Sequence, residues 1–273
     1  MSLETMDSAP VVALHGSAGS PRQWQALKLS MNGRRQVISP DVPGYGETPR
    51  AVVPIATMMD AEAAIILQQI MEIGHPVHLV GHSYGGAIAL KMAMRAPSMF
   101  ASLTVIEPAM FHLLNQGSAK DRKLYRQITS VAGMVSAAIA DGSPGAGMER
   151  FVDFWNGRGS YAGYSPYMQC KLAQQVGQVA ANFATGMAQD WNLDACRKIS
   201  CPTMAIMGLE SRTVAQRVTE MVAHSIPDMQ MAMIAEAGHM VPFTHSGIVN
   251  RLIAGHIASA EASANDQTML RAA

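Results

Sequence analysis

The chain has 273 residues, in which 20 basic side chains balance 20 acidic ones and only 15% are charged. That neutrality argues against nucleic acid or an anionic membrane as the main partner, and no apolar run reaches the roughly 18 residues of a membrane span. Hydrophobic residues make up 49%, enough for one large α/β domain or two small ones. Three cysteines, Cys170, Cys196 and Cys201, have neither zinc-ligand spacing nor the number of a disulfide framework, so they read as small buried residues, and no metal is expected. The N-terminus lacks the basic start and long apolar core of a secretory signal, which makes a reducing, cytoplasmic setting the expectation.

Pro10–His15 reads as a short buried strand running into Gly16-Ser17-Ala18-Gly19-Ser20. Pro21–Met31 reads as a helix, with Ser20 as N-cap and Pro21 at the first helical position. Gln36–Ser39 is a second strand and ends in the loop Asp41-Val42-Pro43-Gly44-Tyr45-Gly46. Thr57–Ile73 has helical spacing, with Ile66, Ile70 and Ile73 on an apolar face, and Gly74 closes it. Pro76–Val80 is a strand, Ala87–Arg95 a helix, and Leu103–Ile106 a further strand. Glu107 precedes Pro108, so its backbone is expected to be extended.

From Ala109 to about Cys196 the strand–helix alternation stops, and this stretch reads as a helical insertion with Trp155, Tyr161, Tyr164 and Tyr167 clustered in it. The alternation resumes with a strand at Thr203–Met207 and a helix face of Val214, Val218, Met221 and Val222. The last strand is Met229–Ile234, the loop Gly238-His239-Met240 follows, and Ser246 can cap a helix from Gly247. The tail after about Ser259 is expected to fray. Six strands alternating with helices predict an α/β fold, a mostly parallel twisted sheet with helices on both faces. Right-handed crossovers bring Ser83, Glu107, Glu210, His239 and the loop after His15 to one sheet edge.

Between the strand Pro76–Val80 and the helix Ala87–Arg95 stands Gly81-His82-Ser83-Tyr84-Gly85-Gly86. A G-x-S-x-G sequence at a strand-to-helix turn is a nucleophile elbow: the turn is so tight that the residues two before and two after the serine must be nearly without side chain. Ser83 is therefore the candidate nucleophile. It needs a base, and His239 is the candidate, because a neutral imidazole suits proton transfer near pH 7. His82 is expected to point away behind the elbow.

His15-Gly16, Asp41-Val42-Pro43-Gly44-Tyr45-Gly46, Gly81-His82-Ser83-Tyr84-Gly85-Gly86 and Gly238-His239 occur in the order seen in the α/β-hydrolase superfamily, which the chain resembles over nearly its whole length. The resemblance implies an eight-stranded, mostly parallel sheet, a core of residues 1–108 and 197–273, and a helical cap at 109–196. It also implies that His15 shapes the oxyanion loop and that the Ser17 and Tyr84 amides form the oxyanion hole. The family's antiparallel N-terminal hairpin is expected to be short or missing. The family's usual acid position, three residues after Gly208, holds Ser211, which is no acid. Glu107 is the first choice, in an arrangement resembling certain haloalkane dehalogenases, and Glu210 is the alternative.

The function expected is a cofactor-free serine hydrolase, carboxylesterase-like, acting on a small apolar ester. Met110, Phe111, Trp155, Tyr161, Tyr164 and Met240 are candidates for the substrate pocket. Epoxide hydrolases and haloalkane dehalogenases use Asp where Ser83 stands. Carbon–carbon bond hydrolases, hydroxynitrile lyases and cofactor-free dioxygenases share the layout and stay open, as does a small-molecule receptor that keeps the triad. The oligomeric state is open.

Overall fold

The structure, a computed structural model, describes residues 8–272, the backbone alone beyond residue 266. Its centre is a parallel sheet of β1 (Val11–Leu14), β2 (Val37–Ile38), β3 (Val77–His82), β4 (Phe100–Ile106), β5 (Thr203–Gly208) and β6 (Met229–Ile234). The strand order is β2-β1-β3-β4-β5-β6, and every adjacent pair is parallel. The eight strands implied by the family resemblance are therefore six among the described residues. Only residues 8–10 of the described chain precede β1, too few for a hairpin.

Alternation along the strands separates two apolar layers. Val11 and Ala13 point to one face, where Trp24, Leu27, Val249 and Ile253 pack. Val12 and Leu14 point to the other, with Leu79, Leu103, Ala87 and Ile66. The first layer is covered by α1 (Gln25–Ser30) and α10 (Ser246–Ala272), the second by α2 (Met58–Met71), α3 (Tyr84–Arg95) and, further along, α9 (Thr213–Ala223).

The first predicted helix is split. Pro21–Trp24 is a 3-10 turn closed by Gln23 N–H donating to Ser20 O at 3.0 Å, and α1 starts only at Gln25. Ser20 is extended and makes no side-chain cap bond; the Gln23 N–H that its hydroxyl could cap is taken by the Ser20 carbonyl instead. In α2 the buried face is Met59, Ala63, Ile66, Leu67 and Ile70, with Glu62 fully buried among them. The tail expected to fray after Ser259 is helical to Ala272. Glu261 ties it down, accepting from Arg35 at 2.8 Å and lying 3.3 Å from His78 Nε2.

Between β4 and β5 the chain forms α4 (His112–Gln116), α5 (Ala119–Ala140), α6 (Pro144–Asn156), α7 (Pro166–Ala173) and α8 (Val176–Met187), with no strand. Ser118 and Asp121 make a capping box at the start of α5. Asp121 also accepts from Arg217 of α9 at 2.7 Å, pinning this helical segment to the sheet's own layer of helices.

Candidate active site

The turn after β3 is set by backbone crowding. A Cβ on Gly81 would stand 2.5 Å from the Gly85 carbonyl oxygen, and one on Gly85 would run into the His15 carbonyl oxygen. The absence of both lets Ser83 take φ +53°, a left-handed conformation that costs a non-glycine residue on the order of 1–3 kcal/mol. Ser83 N–H donates to Ile106 O at 2.9 Å, holding the turn against β4.

The loop after β6 brings His239 to this turn. His239 Nε2 lies 3.1 Å from Ser83 Oγ, and His239 Nδ1 lies 2.7 Å from Glu107 Oε2. Glu107 Oε1 accepts from Gly208 N–H at 2.8 Å and from the Ser211 hydroxyl at 2.5 Å. All three members of the chain are nearly inaccessible to solvent: Ser83 is 8% exposed, His239 4% and Glu107 1%. Burial pushes the Glu107 carboxyl up, but the His239 ring, Ser211 and Gly208 together outweigh it and hold the carboxyl below its ordinary value. The carboxylate therefore fixes Nδ1 as the protonated ring nitrogen and leaves Nε2 as a base facing the hydroxyl.

Glu107 does not run extended into Pro108, as its place before a proline suggested; its φ is +44°. The ladder outweighs the local preference: Glu107 N–H still pairs with Ile206 O at 3.1 Å, and the carboxylate's three partners lie off the strand. Glu210 is exposed and its carboxylate makes no hydrogen bond or ion pair among the described residues. Its N–H donates to Ala237 O at 2.9 Å. His82 does not turn away behind the elbow. It is buried, its Nε2 donates to the His239 carbonyl at 2.9 Å, and burial first, then the neighbouring His239, pushes its pKa down to about 3.

The loop after β1 faces the turn. His15 Nε2 accepts from Val42 N–H at 3.0 Å, so Nδ1 carries the proton and donates to Gly16 O at 2.8 Å. Gly16 N–H donates to Gln23 Oε1 and Ala18 N–H to the Tyr45 hydroxyl. The Ser17 and Tyr84 amides, in contrast, make no hydrogen bond among the described residues.

Two cavities meet at Ser83. The larger, about 1170 Å³, is bounded by His82, His239 and Met240 below and by Phe151, Trp155, Tyr164 and Leu172 of the helical segment above. Trp155 stacks on the His239 ring, centroids 4.1 Å apart. The smaller, about 20 Å³, lies against Ser17, Ser83 and Tyr84 and is walled by Ala109, Phe111, Val179 and Phe183, without His239. Of the pocket candidates, Trp155, Tyr164 and Met240 line the larger cavity and Phe111 the smaller. Met110 and Tyr161 line neither: Met110 is fully buried in the core, and the Tyr161 hydroxyl donates to Gln169 O at 3.0 Å within the helical segment.

Several residues at the site carried no readable signal. Ser211 is not an acid, yet it is the partner of one. Asn182 on α8 donates to Ser17 Oγ at 2.9 Å and to the Tyr45 hydroxyl at 2.8 Å. Glu62 accepts from the Tyr84 hydroxyl at 2.5 Å, and burial raises its pKa to about 7. A lone acidic residue inside an apolar helix face was the one visible hint, for Glu62 only.

Comparison with known proteins gives the same frame. The model of the alpha/beta hydrolase family matches residues 11–252. The dihydrolipoyllysine-residue acetyltransferase component of an acetoin cleaving system from Pseudomonas putida is 35% identical over 100 residues, which are 37% of this chain and 27% of that protein. This chain thus spans about a quarter of that relative's length. A pimeloyl-[acyl-carrier protein] methyl ester esterase from Aromatoleum aromaticum is 26% identical over 248 residues, 88% of this chain and 94% of that one. Among solved structures, a thermophilic esterase from Thermogutta terrifontis superposes with a TM-score of 0.64 at 20% identity, covering 93% of this chain and 90% of that one, a likeness of fold. The match over nearly the whole chain, on a parallel sheet with this elbow, means that the protein belongs to the alpha/beta hydrolase family.

Proposed function

We propose that the protein is a serine esterase working through an acyl-enzyme. Ser83 Oγ attacks the ester carbonyl while its proton passes to His239 Nε2, and Glu107 orients the ring and stabilises the imidazolium that forms. The carbonyl electron pair moves to oxygen, which the free Ser17 and Tyr84 amides bind. His239 returns the proton to the leaving alcohol, and water repeats the sequence to release the acid. The observation that carries this reading is the unbroken chain from Ser83 Oγ through His239 to Glu107, at 3.1 and 2.7 Å.

The segment 109–196 acts as the cap in this reading, supplying the roof of the larger cavity. The leaving group must sit beside His239, so it belongs in the cavity of about 1170 Å³ that His239 lines. The acyl group lies on the opposite side, against the apolar slot of about 20 Å³ beside Phe111, Val179 and Phe183. The substrate class favoured is an ester of a short acyl group and a bulky, largely apolar alcohol. The full-length resemblance to a methyl ester esterase supports ester cleavage, and its modest identity carries no particular substrate.

The test is turnover of esters together with labelling by a fluorophosphonate. Wild type is expected to hydrolyse short esters and to carry the label on Ser83. Ser83→Ala is expected to lose both, with a fall in kcat on the order of 10⁶-fold. Labelling without turnover would instead favour a receptor, and ester turnover by Ser83→Ala within tenfold of wild type would exclude Ser83 as nucleophile.

A further inference from the structure

We infer that α8 is the strut that sets the oxyanion hole, and that Asn182 and Thr185 on it are positioning residues for the reaction; this rests on the serine-esterase reading above. The two residues are three apart, so they share one face of the helix, and they are 4% and 0% exposed. Asn182 reaches the donor loop after β1. Its Nδ2 donates to Ser17 Oγ at 2.9 Å and to the Tyr45 hydroxyl at 2.8 Å. The Tyr45 hydroxyl in turn accepts Ala18 N–H at 3.0 Å, and Ala18 has the strained φ of +55°. Thr185 reaches the side chain of Tyr84, the residue whose amide is the other donor. The Thr185 hydroxyl accepts from Arg50 at 3.1 Å and lies beside the Tyr84 phenol.

The arrangement selects which amides are left free. Gly16 N–H is taken by Gln23 and Ala18 N–H by Tyr45, so the amide between them, Ser17, is left as an open donor beside Ser83. Holding Ala18 in a left-handed conformation requires surroundings that over-determine it, and the Tyr45–Asn182 bond is one such constraint. The Asn182 Oδ1 accepts from Gln178 one turn earlier at 2.8 Å, which fixes the amide's orientation. One helix of the cap thus bears on the loop of one donor and on the side chain of the other. Oxyanion donors act by being fixed before reaction, so loss of the strut is felt when the charge forms and little when substrate binds.

The experiment compares Asn182→Leu, Thr185→Val and the conservative Thr185→Ser with wild type. The probe is trifluoroacetone, whose carbonyl carbon is attacked by Ser83 Oγ with the proton passing to His239, leaving a hemiketal oxyanion in the hole. Trifluoroisopropanol, which has no carbonyl to attack, reports ground-state binding. Asn182→Leu and Thr185→Val are expected to lower kcat about 10- to 100-fold with KM within threefold, below the full loss for a deleted donor. Trifluoroacetone affinity should fall in parallel while trifluoroisopropanol affinity holds, and Thr185→Ser should recover most of the loss. Variants that melt earlier yet keep kcat per folded enzyme, and keep the ketone-to-alcohol affinity ratio, would overturn the assignment. An active wild type that forms no hemiketal would overturn the serine reading itself, and the strut with it.

Discussion

The Ser211 hydroxyl donates to Glu107 Oε1 at 2.5 Å, beside the Gly208 amide at 2.8 Å, so that Oε2 is left to His239. The hydroxyl stabilises the ionised carboxylate and fixes its plane. A hydrogen bond to a charged group contributes about 1.5–3 kcal/mol. Ser211→Ala is expected to lower kcat about tenfold, with KM nearly unchanged and the fold intact. Steady-state kinetics with a short ester check this, and an unchanged kcat would remove Ser211 from the site.

The two glutamates near the site separate cleanly. Glu107→Gln is expected to lower kcat about 10⁴-fold, because the orienting charge is lost while the shape is kept. Glu210→Gln, whose carboxylate is exposed and without a partner among the described residues, is expected to stay within threefold of wild type. The reverse order in kcat would transfer the role to Glu210.

Glu62 is expected to make stability fall with rising pH. Burial raises its pKa from 4.5 to about 7. Between those values the folded state holds a proton that the unfolded state has lost, so stability falls as pH rises through this window. The loss is complete only above about pH 7 and amounts to roughly 3 kcal/mol at one pKa unit per 1.36 kcal/mol. Glu62→Gln keeps an oxygen for the Tyr84 hydroxyl and should flatten this part of the profile. Urea midpoints at pH 4.5 and 8 check it: the gap between the pH values should narrow in the variant.

Much of this was legible in the sequence, and the reason differs by element. The elbow could be read because its glycines are required by backbone clashes at fixed spacing, as Gly81 and Gly85 are here. The central strands could be read because strands buried on both faces are short apolar runs, and the edge strand β6 because it is an apolar run too, although Met231 and Met233 on it are exposed. The split at Pro21–Trp24 could not, since periodicity does not distinguish a 3-10 turn from the first turn of a helix. Ser211 and Asn182 were invisible for another reason. A serine or asparagine carries no local pattern for a partner 104 or 165 residues away, and only the fold brings them together. The carboxylate of Glu62 likewise found its phenol through the packing of α2 on α3.

In the proposed esterase the small slot beside Ser83 is expected to set acyl preference. Acetyl and propionyl esters should be turned over faster than octanoyl esters of the same alcohol by at least tenfold in kcat/KM. Phe183→Ala, which opens the slot's apolar wall, should raise the octanoyl rate relative to acetyl. A wild-type preference for octanoyl esters would place the acyl chain in the larger cavity instead.

The central claim, that Ser83 carries the acyl group, is tested most directly by stopping turnover of an activated acetyl ester with acid and mapping the peptides by mass. The account predicts an acetyl increment on the peptide containing Ser83 in wild type, and none at that position in Ser83→Ala. Active wild type with no increment at Ser83, or with one on another residue, would contradict it.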